Sequence, residues 1–258
     1  MKIKIAVVCL LSLLFQNCDF EEKENPNPEI FLDKKKNQPE EENPINYKKL
    51  NIALTPSEES YRSVCEKIKK GKKDQDHLST FFENSLVNQI IPYWYGTPWD
   101  FNGYTNEPDK GEVACGYFVS TTLKHMGFNL NRYQLAQQSP VYEALTLAMG
   151  EPIVEIRESS FEKCFEKMEE LLTDGIYFIG LSQSHVGFLL NRKGQLFFIH
   201  SSYGQPAEVV IEPAISSSIL KSFNQFFIAE LSNNERLMSA WKNKKQIKVI
   251  TKNTRKNM

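Results

Sequence analysis

Apolar residues recur at helical spacing in several separate stretches of this chain, and as short strand-like runs only in its second half. Tyr61, Val64, Cys65 and Ile68 lie three or four apart, after the capping-box sequence Thr55-Pro56-Ser57-Glu58 and before Gly71. This spacing predicts a helix from about Thr55 to Gly71. A second helix is predicted from Asp76 through Phe81, Phe82, Leu86 and Ile90 to Pro92. Positions 115, 118, 119, 123 and 126 predict a third, opened by Cys115 and stopped at Gly127. Two more are expected over 140–149 and 161–172. In the latter, Phe161, Cys164, Phe165, Met168, Leu171 and Leu172 make one stripe, so Cys164, like Cys65, belongs in a core. After Asp174-Gly175 the runs 176–181, 185–190, 196–202 and 226–231 read as strands, the middle two joined by the turn Asn191-Arg192-Lys193-Gly194. The expected fold class is α+β, with helices packed on an antiparallel sheet.

The amino-terminal pattern is of another kind. Lys2 and Lys4 precede the apolar run 5–15, which is too short to span a bilayer, and Leu14-Phe15-Gln16-Asn17 leads into Cys18. This resembles a bacterial lipoprotein signal, although the small residue usual before the cysteine is Asn17 here. The resemblance implies a signal peptide over 1–17, lipidation of Cys18 and a lipid anchor in the cell envelope, on a membrane face the sequence leaves open. Residues 18–46 hold Pro26, Pro28, Pro39, Pro44 and the run Glu40-Glu41-Glu42 but few apolar groups, as a disordered tether would. A folded domain is expected over 47–235 and a basic tail over 236–258.

Composition narrows the function classes. With 258 residues, 41% hydrophobic and 24% charged, the chain is neither collagen-like, nor wholly disordered, nor a polytopic membrane protein. A formal charge of −1 gives no general attraction to nucleic acid. The 5 cysteines are scattered, and no CxxC or HxxxH pair proposes a metal site.

Three features carry candidate chemistry. Cys115 opens a helix, where unpaired amides and the macrodipole favour a thiolate near neutral pH; a small apolar residue docking that helix would occupy the same position. Tyr93 to Tyr104 packs six aromatics into twelve residues broken by glycine and proline, a loop that either sits under a core or lines a groove. With Leu190 opposite Gln195, His185 and His200 fall directly opposite each other on one face, with Cβ atoms ~5 Å apart. Such a pair is either structural or a base with its orienter.

In this order, Tyr95-Gly96-Thr97-Pro98-Trp99, Ala114-Cys115-Gly116-Tyr117-Phe118-Val119, Ser184-His185-Val186-Gly187-Phe188-Leu189 and Phe198-Ile199-His200-Ser201 resemble the motifs of the NlpC-type cell-wall cysteine endopeptidases. That family has a papain-like fold, and the resemblance spans roughly residues 86–202. It implies Cys115 as nucleophile, His185 as general base and His200 as the group that orients His185, with no metal or cofactor. It also implies a peptide-amide substrate derived from peptidoglycan; the chain is expected to be a monomer. The family's acid before the cysteine is Ala114 here, its serine after it is Gly116, and its loop tyrosine, an oxyanion donor, is Trp99. Tyr95 and Tyr104 are the tyrosines left to substitute. An envelope binding protein that keeps only the cleft, or an acyltransferase on the same fold, is the alternative. If Cys18 carries the anchor, the chain expressed in bacteria should partition into the detergent phase, and Cys18→Ser should move it to the aqueous phase.

Overall fold

The structure, a computed structural model, describes residues 45–182 and 184–255. The expected signal peptide, Cys18 and all but the last two residues of the expected tether lie outside the described residues. The helices are α1 (Tyr61–Gly71), α2 (Leu78–Asn84), α3 (Cys115–His125), α4 (Arg132–Ala136) and α5 (Pro140–Ala148), followed by α6 (Phe161–Leu171), α7 (Ser218–Lys221), α8 (Glu235–Lys242) and α9 (Lys252–Arg255). The strands are β1 (Val154–Arg157), β2 (Gly175–Leu181), β3 (His185–Arg192), β4 (Gln195–Ser201), β5 (Val209–Pro213) and β6 (Gln225–Glu230). They form one antiparallel sheet in the order β1-β6-β2-β3-β4-β5, so the fold is α+β.

Both sheet faces are covered, which is why the central strands read as nearly continuous apolar runs. Phe178, Val186, Phe188, Leu190, Phe197, Ile199 and Phe227 face α1–α5 and α8 in the larger core. Tyr177, Ile179, Leu189, Leu196, Phe198 and Phe226 face α6 and α7 in the smaller one. The first helix starts later than the capping box predicts. Ser60 is its N-cap, the Oγ accepting the Ser63 N–H at 3.3 Å. Ser57, the serine of the expected box, is tied instead to the Tyr93 hydroxyl at 2.8 Å, and that hydroxyl also donates to the Glu59 carbonyl at 2.6 Å. These bonds hold residues 57–59 out of a helix. The second predicted helix is α2 continued by a wider helical turn at Ser85–Ile90 and a tight one at Ile91–Tyr93.

The hairpin register also differs from expectation. Arg192, not Leu190, pairs with Gln195, and the turn is only Lys193-Gly194, at φ 55° and 76°. Two residues at positive φ make the tight primed turn that matches strand twist. The pairing runs Asn191 with Leu196, Leu190 with Phe197 and Phe188 with Ile199. His200 therefore comes against Gly187, where an added Cβ would lie 2.9 Å from His200 Cβ, and His185 is a diagonal neighbour rather than the direct partner. A register change of two keeps both histidines on one face; a change of one would have separated them.

Residues 236–249 are not a tail. Leu237, Met238, Ala240 and Trp241 of α8 are buried, as are Ile247 and Val249, and the Ile247 N–H donates to the Asn129 carbonyl at 2.9 Å. The Trp241 ring stacks on Phe128 and Phe81, and its Nε1–H donates to the Met126 carbonyl at 2.9 Å. Sequence composition suggests a basic extension here because residues 236–258 carry lysines and arginines and no acid, but the apolar residues among them close the larger core. Trp241→Ala should destabilise the fold by about 3–5 kcal/mol in urea unfolding. A chain ended after Asn234 should lose its cooperative transition, and one ended after Thr251 should keep it.

Candidate active site

The start of α3 is held by its neighbours. The Val113 N–H donates to the Pro98 carbonyl at 2.9 Å, the Ala114 N–H to the Gly103 carbonyl at 2.8 Å, and Ser201 Oγ to the Val113 carbonyl at 2.6 Å. Ala114 is the N-cap and makes no side-chain cap bond, so the first-turn amides are left for other acceptors. Arg132, itself buried, ties the aromatic loop to the helices. It donates to the Tyr104 carbonyl at 3.1 Å and to Thr121 Oγ1 at 2.7 Å, and its guanidinium lies over the Tyr133 ring.

Cys115, Trp99, Tyr117, Pro140, Glu143, Ser184, His185 and Tyr203 border one cleft of about 460 Å³. A larger cavity, about 690 Å³, lies elsewhere, around Tyr61 and His125. Strand parity puts His185 and His200 on the sheet face that carries Phe198, whereas Cys115 belongs to the helices on the other face. Cys115 and His185 share the cleft because β3 and α3 both begin there, at the end of the sheet, whereas His200 is buried and does not border it. No hydrogen bond joins the Cys115 thiol to the His185 ring directly.

His185 Nε2 lies 2.9 Å from His200 Nδ1, and His200 Nε2 lies 3.1 Å from Glu212 Oε1. This chain fixes the tautomers. Burial raises the Glu212 carboxyl, but hydrogen bonds from His200 and Ser217 outweigh it and hold it below its ordinary value, so Glu212 is an anion that can only accept. His200 Nε2–H donates to it, which leaves Nδ1 as an acceptor for His185 Nε2–H. His185 Nδ1 is then the unprotonated nitrogen. Burial holds His200 below its ordinary pKa although Glu212 pulls the other way. The His200–Glu212 contact is thus a charge-assisted hydrogen bond, not an ion pair. Burial, with His200 alongside, holds His185 well below its ordinary value.

Cys115 departs from expectation. Burial pushes its pKa up to about 11, and Glu143 acts in the same direction. The Val186, Gly116 and Cys115 amides favour the thiolate but do not outweigh burial. The resting pair is a neutral thiol and neutral imidazoles, because the crowding that shapes the cleft also removes water from the sulfur. His125, in the last turn of α3, is likewise neutral: burial pushes it down to about 4 while its Nδ1 meets the Tyr61 hydroxyl at 2.9 Å.

The three cleft aromatics proposed from the sequence separate. Trp99 borders the cleft, its ring 6.0 Å from that of Tyr203. Tyr95 turns inward and its buried hydroxyl has no partner. Tyr104 is 60% exposed, against Tyr117, and does not border the cleft. Neither tyrosine can take the place of the missing one. The sequence reading missed Tyr203, whose ring lies 5.1 Å from His185, and it missed Glu212 and Glu143. Each acid is a lone charge in an apolar run, Val209-Val210-Ile211-Glu212 and Pro140-Val141-Tyr142-Glu143-Ala144-Leu145, a signal that could have singled it out. No family model matches the chain, and neither a curated protein nor a solved structure is significantly similar to it.

Cys65 and Cys164 are buried, while Cys115 is partly exposed. Iodoacetamide should therefore label Cys115 first in the native protein. Its rate should climb about tenfold per pH unit from neutrality toward the thiol pKa. A rate already level at neutral pH would mean a preformed thiolate–imidazolium pair.

Proposed function

We propose that the chain is a cysteine peptidase or amidase of the cell envelope, with Cys115 as nucleophile, His185 as general base and His200 as its orienter. The observation that carries this reading is the hydrogen-bonded chain from Glu212 through His200 to His185, which leaves Nδ1 as the unprotonated nitrogen of a histidine bordering the cleft that holds the only partly exposed thiol among the described residues. A cysteine opening a helix beside an antiparallel sheet that carries the histidines is also the papain-like arrangement of the NlpC-type endopeptidases. Amide bonds of peptidoglycan stem peptides are the substrate class that resemblance favours. A lipid on Cys18 would hold the enzyme at the membrane beside that substrate.

The reaction follows from the tautomers. His185 Nδ1 takes the Cys115 proton as the sulfur attacks the amide carbonyl, so no free thiolate has to persist in the crowded cleft. The imidazolium formed is stabilised through His200 by the Glu212 carboxylate. The tetrahedral oxyanion is met by the Cys115 amide at the helix start, with the Trp99 indole N–H and the Tyr203 hydroxyl as side-chain donors on the cleft wall. His185 then returns the proton to the leaving amine. A water deprotonated by the same nitrogen hydrolyses the thioester, and the released acid and free thiol restore the starting state.

Digestion of muropeptides tests this. Cys115→Ala should abolish the products and His185→Asn should cost on the order of 10²–10⁴-fold. His200→Gln and Glu212→Gln should keep measurable activity, because an amide still holds the neighbouring ring. A digest indifferent to Cys115→Ala would overturn the assignment, and amine-transfer products would favour the acyltransferase.

A further inference from the structure

Three charged side chains are buried among the described residues: Lys72, Arg132 and Glu143. Two of them are satisfied. Lys72 Nζ donates to the Gly127 carbonyl at 2.9 Å, and Arg132 makes the bonds described above. Glu143 is different. It lies in the first turn of α5, which packs on β2 and β6, and it is 2% exposed. Its Oε2 has no hydrogen-bond partner, and burial alone holds the carboxyl well above its ordinary value. A buried polar atom left unpaired is costly, and proteins keep few of them without a use. Glu143 borders the Cys115 cleft, so what it lacks is what the cleft would receive.

The rest of the lining says what that is. Among the described residues that border the cleft there is no lysine or arginine, and Glu143 is the only acid. A carboxylate group of an occupant would find no cation there. An ammonium group would find a carboxyl with free acceptor capacity in a low-dielectric setting, where pairing is strong. We propose that Glu143 is a substrate-binding residue that receives a primary ammonium group carried close to the scissile amide. On docking, the Glu143 proton passes to water and the carboxylate pairs with the ammonium. This inference rests on Cys115 being the reacting group, and it deepens the hydrolase reading by naming the charge its substrate carries.

Paired methanethiosulfonate reagents test the charge preference without any hydrolysis. The 2-aminoethyl reagent is cationic and the 2-sulfonatoethyl reagent anionic. In each, the Cys115 thiolate attacks the thiosulfonate sulfur, a mixed disulfide forms and methanesulfinate leaves. The ratio of the two rates cancels the thiolate fraction, and 2-mercaptoethanol supplies the ratio for a thiol outside any cleft. Relative to that thiol, wild-type Cys115 should favour the cationic reagent by about tenfold or more, and Glu143→Gln should reduce the preference to about twofold or less. Wild type without a cation preference would overturn the proposal even if the variant failed to fold, and so would a preference unchanged in a folded Glu143→Gln. A chain that shows the preference but cleaves no muropeptide would lose the hydrolase reading and keep this one; an active hydrolase without the preference would do the reverse.

Discussion

The hydrogen bond between the His185 and His200 rings exists because a two-residue turn sets the register of the β3–β4 hairpin. Lys193 and Gly194 at positive φ oblige Arg192 to face Gln195, and every later pairing in the two strands follows. The histidines become diagonal neighbours on one face, a spacing that lets one ring nitrogen reach the other across the strands. The next strand completes the set. β5 pairs with β4 so that Glu212 stands opposite Phe198, on the histidine face, and its carboxylate meets the far nitrogen of His200. The Phe198 ring, 3.9 Å from that of His200 and nearly parallel to it, keeps the imidazole from turning out of line.

Burial then decides the charge states. Cys115, His185, His200 and Glu143 are each pushed toward their neutral forms by loss of water, and only Glu212 remains ionised, through the hydrogen bonds it accepts. The cleft thus holds little charge beside its sulfur. The Val186, Gly116 and Cys115 amides around the sulfur act against burial and favour its thiolate. The same desolvation that disfavours a resting thiolate makes those dipoles count for more once it forms.

The aromatic loop shows how much of a site a tightly bonded frame can decide. The Gly96 N–H donates to the Val209 carbonyl and the Trp99 N–H to the Ala207 carbonyl, so the loop runs along the edge strand β5. This course sends Tyr95 inward and presents Trp99 to the cleft, and the Arg132 clamp leaves Tyr104 outside. Tyr203, just beyond the end of β4, fills the gap between Trp99 and His185.

Much of the fold was legible in the chain because its signals are local. Helical spacing located α3, α5 and α6, continuous apolar runs located β2, β3, β4 and β6, and a cysteine at a helix start with two histidines in a hairpin marked the candidate chemistry. The short edge strands β1 and β5 lacked a long enough pattern, and β5 ends in Pro213, which only an edge tolerates. Other features depended on partners far away in sequence. Ser57 lost its cap to Tyr93, Trp241 found a core made by Phe81, Phe82 and Phe128, and Glu212 found His200. The sequence by itself determined which side chains could share a sheet face or open a helix, since those follow from periods of two and 3.6 residues. Tertiary structure alone decided the register, the protonation states and the company each polar group keeps, because these depend on water exclusion and contacts that no local period encodes.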